Sequence, residues 1–210
     1  MIRGLVLTLK CRRAGAALTW VAVATLIAAV TQLSPFIVLD SAISRPLRPI
    51  PTWEILVMIT ACVLPAIMHH GVGPLAMHPP WSRGMIHITV TTLAVLGTQI
   101  PLSVFWWRLH LLTTKADVPM WGRMMASGAL YCAIGLLTVR GAGPHLGPLI
   151  SGVMCALLPV LQSYLPWVLW DRHLTAGIRP IDGWWHNILF LSVAVIATGL
   201  PRGILRRVFP

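Results

Sequence analysis

Charge is the scarcest thing in this chain. Asp, Glu, Lys and Arg make up 10% of its 210 residues, against about 25% in a soluble domain. That is too little to cover a globule in water, so a soluble fold is excluded. Acids are rarest, and Asp40, Glu54, Asp117, Asp171 and Asp182 are all there are. Lysine is nearly missing, with two against fourteen arginines, while Ala, Gly and Pro are plentiful. That bias fits a GC-rich bacterial genome. The four cysteines, Cys11, Cys62, Cys132 and Cys155, include no C-x-x-C pair. Their spacing offers neither a disulfide framework nor a zinc site, and they read as small apolar packing residues.

Catalytic signatures are lacking as well. There is no G-x-x-x-x-G-K-[ST] loop, no G-x-S-x-G and no H-E-x-x-H. No acid falls in the middle of an apolar segment. That excludes an aspartyl intramembrane protease. It also disfavours a proton- or sodium-driven carrier, which needs an ionisable group in the membrane. The chain is therefore expected to be no enzyme, with no catalytic residue, no metal and no cofactor of its own.

What is present is apolar length. Hydrophobic residues make up 57% of the chain, and runs of about twenty recur along it, the mark of transmembrane helices. The segments are 14–33, 51–68, 85–107, 120–139, 146–167 and 184–200. They predict an all-α polytopic membrane protein with six transmembrane helices. Residues 1–13 form a basic interfacial segment, 14–201 the transmembrane domain and 202–210 a basic tail. The first segment is longer than the usual 7–15 residues of a signal-peptide core and lacks a clear cleavage site, so it reads as a retained helix.

Orientation follows from the basic residues. Arg3, Lys10, Arg12 and Arg13 place the N-terminus in the cytoplasm, and six crossings return the C-terminus there with Arg202, Arg206 and Arg207. The net charge of +11 then meets anionic lipid headgroups rather than nucleic acid, since no basic stripe with interleaved aromatics forms a domain. Trp53, Trp106, Trp107, Trp121, Trp167, Trp170, Trp184 and Trp185 all fall at one predicted face, as an interfacial belt requires.

Several polar residues interrupt the apolar runs. Gln32, Gln99 and Gln162 each lie close to a proline in an odd-numbered segment. An amide in lipid needs a partner, so these face the bundle interior, either as a polar patch on a substrate path or as interhelical glue. Arg123 either snorkels or pairs with an acid such as Asp117, and Glu54 suits a helix N-terminus. Gly128, Cys132 and Gly135 make a small-residue stripe. Arg140 to His145, rich in glycine and ending in Pro144-His145, predicts a tight inner turn. His69, His70, His78 and His87 share an inner loop, with His145 in the next. A metal would need orienting acceptors as well as converging nitrogens, and no acid lies on that side, so they read as interface histidines.

The loop from His69 to Ile88 holds the chain's most distinctive stretch. Pro79-Pro80 is followed by Trp81-Ser82-Arg83, a piece able to form one or two helical turns. The basic start, the six segments, this loop, the run from Arg123 through Gly128 and Gly135 to Pro144, and the stretch from Trp167 to Asp171 together carry a resemblance. The layout resembles the compact membrane subunits of ABC-2-type (exporter-like) ABC transporters of GC-rich actinobacteria. The resemblance implies a multi-pass protein of the bacterial plasma membrane. It would pair with a second permease chain, like or unlike, and bind a cytosolic ABC ATPase that holds the ATP. It also implies a coupling helix over 75–85, with Leu75, Trp81, Arg83 and Met85 docking on the ATPase. The family often has an acid in this loop, and this chain has none. The substrate suited to an apolar path is hydrophobic or amphipathic. A non-transporting immunity or sensor protein is the alternative, and a histidine-dependent membrane enzyme a third.

Overall fold

The structure, a computed structural model, describes residues 14–31, 35–37, 50–69, 80–112, 121–162 and 184–199. Five helices carry nearly all of them: α1 Ala14–Val30, α2 Thr52–His69, α3 Pro80–Leu112, α4 Trp121–Gln162 and α5 Trp184–Gly199. Between α1 and α2 two short strands, β1 Pro35–Ile37 and β2 Ile50–Pro51, pair antiparallel. The protein is thus essentially all-helical. The helices follow the apolar segments to within a few residues. The widest departure is α3, which starts five residues before Met85 and ends five after Trp107.

As one straight rod, α4 would be about 63 Å long. It is folded back instead. Gly143 has φ 85° and ψ 174°, a region that essentially only glycine occupies, and Pro144 follows as a favoured first residue of the next helix. A Cβ on Gly147 would stand 2.5 Å from the Cα of Val139. Along one straight helix those residues would be about 12 Å apart. So residues 121–142 and 144–162 form two antiparallel arms joined at the turn expected from Arg140 to His145.

The helices pack as alternating neighbours. α2 lies against α1, α3 and α4, and α3 also contacts α1, α4 and α5. Near the end of α3, Arg108 donates to the carbonyl of Thr31, with Ala28 O 3.5 Å away. Those carbonyls close the C-terminus of α1, where a cation is favoured. α1 and α3 therefore run parallel. Leu64 and Met68, late in α2, cluster with Ala17 early in α1 and Val90 early in α3, so α2 runs the other way.

Small and polar residues are well represented in the core, and many large apolar residues are exposed. Ten of the buried apolar residues are alanines, and Glu54, Thr60, Thr91, Thr98, Ser127, Ser151 and Asn187 are buried with them. Many large side chains are outside: Leu18, Leu26 and Val30 on α1, Leu146, Leu149 and Val153 on the second arm of α4, Leu189, Val193 and Ile196 on α5, while others, such as Leu64, Leu102, Met124 and Tyr131, are inside. Hydroxyls are satisfied within their own helices. Thr25, Thr60, Thr98 and Ser103 each donate to the carbonyl four residues back, which removes their need for water. Among the described residues two stretches, His87–Leu112 and Met124–Leu158, are long and apolar enough to cross a membrane, the second containing the Gly143 turn. Ala14–Val30, Thr52–Met68 and Asn187–Ala197 are shorter apolar helices.

Candidate functional site

The seam between α2 and the first arm of α4 is where sequence and packing meet most closely. Pro65 lies inside α2 and has no N–H, so the carbonyl of Ala61 loses its partner four residues on. Gly135 sits directly against that carbonyl, and a Cβ there would overlap it. Proline thus frees an oxygen on one helix and glycine lets the other helix approach it. The contact draws the two backbones together.

Polar groups are spaced along this seam. At the start of α2, Glu54 is fully buried and accepts a hydrogen bond from the hydroxyl of Tyr131, itself fully buried. Trp53, Phe105 and Met124 belong to the same buried cluster. Two turns along α2, about 12 Å away, Cys62 meets Ser151 and Cys155 of the second arm of α4. Cys132 touches Thr98 across the interface with α3. Glu54 keeps the position at a helix N-terminus that the sequence suggests, but enclosed within the bundle. A carboxylate in the first turn of an apolar helix was the visible signal. Tyr131, one of two tyrosines in the chain, was missed, because its partner lies 77 residues away in sequence.

Of the three glutamines, only Gln99 has a described side chain. Gln32 lies outside the described residues, close after the end of α1, and Gln162 is the last residue of α4. Gln99 is nine residues before Arg108 on α3, hence about 14 Å from the end of α1 that Arg108 meets. Its amide lies 3.2–3.4 Å from where a Cβ on Gly128 would stand, and its Oε1 is buried with no hydrogen-bond partner among the described residues. Of the docking residues, Leu75 lies outside the described residues. Trp81, Arg83 and Met85 are on the first turns of α3, so this stretch is continuous with α3 rather than a separate short helix.

Among the described residues no group of three or more His, Cys, Asp or Glu side chains is arranged to hold a metal ion. No protein-family model, no curated protein and no solved structure matches the chain. The arrangement offers a buried hydrogen-bonded carboxyl, a group of thiols and an amide at the α3–α4 crossing.

Proposed function

We propose that the chain is the membrane subunit of an ATP-driven exporter in the bacterial plasma membrane, crossing six times with both termini cytoplasmic. A separate ATPase binds its cytoplasmic side, and a second permease chain completes the pathway for a hydrophobic or amphipathic substrate. The exposed apolar surface supports the membrane setting: many large apolar side chains on α1, α5 and the second arm of α4 face outward, and lipid is the solvent that favours them there. Six helical rods in alternating order support the count of crossings, with the two arms of α4 taken separately.

The observation that carries the transport reading is the length of α3. Its 33 residues span about 50 Å, against a hydrocarbon core of about 30 Å. Ile88 to Trp107, about 30 Å of helix, suffices to cross that core. Residues 80–87 then project roughly 12 Å beyond it as a rigid continuation of the helix. A partner that grips this projection moves α3 directly, and α3 touches each of the other four helices. Trp81 is the large anchor on the projection and Arg83 its fixed charge.

The test is purification in mild detergent with partners identified by mass, followed by the double variant Trp81→Ala, Arg83→Ala. An ATPase should copurify, and the variant should weaken its association by roughly 2 kcal/mol, the size of an interface hot spot. The melting temperature of the membrane subunit alone should hardly change. Purification without any ATPase, from cells that express the neighbouring machinery, would point to an immunity or sensor role instead.

A further inference from the structure

Three cysteines that are scattered in the sequence approach one another in the bundle. Cys62 comes from α2, Cys132 from the first arm of α4 and Cys155 from the second, and all three are buried free thiols. Cys62 Sγ donates to Ser151 Oγ at 3.2 Å, and Ser151 Oγ lies 3.9 Å from Cys155 Sγ. Ser151 and Cys155 are four residues apart, so one turn of the second arm presents a hydroxyl and a thiol on the same face. Both sulfurs therefore lie within 4 Å of the one Ser151 hydroxyl oxygen. Packing alone asks for small residues here, and alanine supplies that at most interior positions. Two facing thiols around one hydroxyl can do something that alanine cannot.

We propose that Cys62 and Cys155 form a reversible redox pair, whose disulfide staples α2 to the second arm of α4 when a small hydroperoxide reaches the bundle. The proposal stands apart from the exporter reading. Cys62 reacts first: it keeps 7% of its surface exposed, whereas Cys155 has none. Its sulfur attacks the near oxygen of the peroxide and the O–O bond breaks. The alcohol or water leaves carrying the thiol proton, and Cys62 becomes a sulfenic acid. The Cys155 sulfur then attacks the sulfenic sulfur, the S–S bond forms, and the sulfenic oxygen leaves as water with the Cys155 proton. Two electrons pass from the two thiols to the peroxide. Ser151 offers the sulfenic acid a hydrogen bond. A dithiol reductant reverses the link by two exchange steps and leaves as its own disulfide. Cys132, turned toward Thr98, takes no part.

The experiment uses the full chain in its native membrane. Membranes are treated with hydrogen peroxide, free thiols are alkylated with N-ethylmaleimide after denaturation, and the protein is digested and weighed. The expected product is a peptide pair joined through Cys62 and Cys155, lighter by two hydrogens and separated again by dithiothreitol, with Cys132 alkylated. The link should persist in Cys132→Ser. It should vanish in Cys155→Ser, where Cys62 is instead captured as a sulfenic acid by dimedone. The stapled wild type should melt at a higher temperature than the reduced form. Peroxide-treated wild type in which both cysteines remain alkylatable would overturn the proposal. So would a link from Cys62 to Cys132, or one between two chains.

Discussion

The two arms of α4 are similar in kind and opposite in fate. Both are apolar, they are joined at one glycine, and they lie side by side. Yet the first arm is buried almost continuously from Met124 to Ala133, while the second exposes Leu146, Leu149, Ile150, Val153, Met154 and Leu157. The difference is size. The first arm reads Ala126-Ser127-Gly128-Ala129 and then Cys132-Ala133 and Gly135, and small side chains let neighbouring helices close on it from several sides. The second arm carries large side chains on one face and keeps Ser151 and Cys155 on the other. In this bundle mean hydropathy marks where a helix is, and residue volume marks which way it faces.

The sharpest way to break that contrast is to add volume to the first arm. A side chain at Gly135 would run into the backbone carbonyl of Ala61, which cannot rotate away. Gly135→Val should therefore cost about 3 kcal/mol, the upper end for overpacking, read as unfolding in a denaturing detergent. Gly152→Ala in the second arm is the matched control. Its Cβ meets nothing within 4 Å, and stability should stay within about 0.5 kcal/mol. Equal losses at both sites would mean that the two arms are equally enclosed.

Charge tests the outer face of the same contrast. Val153 is 62% exposed and lies midway along the second arm. Val153→Arg should reduce membrane insertion by roughly 3 kcal/mol if that face meets lipid. On a face bathed in water the change would fall within about 0.5 kcal/mol. Measuring the fraction of newly made chain that integrates into microsomes separates the two.

A smaller effect is expected at the polar end of the seam. Tyr131→Phe keeps the ring and removes the hydroxyl that Glu54 accepts from. Leaving a buried acceptor short of a hydrogen bond costs about 1–3 kcal/mol, so the variant should lose about 2 kcal/mol in the same unfolding assay. Glu54→Gln in the Tyr131→Phe background should lose little more than Tyr131→Phe alone, since partners in one network are not additive.

Much of this architecture was legible beforehand, because helix positions depend on local pattern. The apolar runs mark all five helices, and the glycines and proline between Arg140 and His145 mark the turn within α4. What was hidden depends on distant pairs. Nothing near Cys62 in sequence announces Ser151, and nothing near Arg108 announces the end of α1, so the thiol group and the guanidinium cap emerge only on packing. Glu54 was visible as a helix-start carboxylate. Its enclosure was not, since that requires Tyr131 from a helix 77 residues away in sequence. That α3 runs unbroken from Pro80 was missed because Pro79-Pro80 looks like the end of a loop, whereas proline is also a favoured first residue of a helix.

The smallest expected effect carries the most information about partners. Leu149 is 68% exposed on the second arm, one turn before Val153. Lipid tails are as apolar as a leucine side chain, so burying Leu149 against lipid gives helix association no hydrophobic gain. Leu149→Ala should then change stability by less than about 0.5 kcal/mol, measured by unfolding in a bilayer-like micelle across a range of protein concentrations. If that face is instead covered by a second permease chain, the truncation removes packed contacts at an interface. The loss would exceed about 1 kcal/mol at high protein concentration and shrink as the protein is diluted, because binding of a partner stabilises by mass action. A near-zero value at all concentrations assigns this face to lipid and leaves the exposed faces of α1 and α5 as the surfaces on which a second chain can seat.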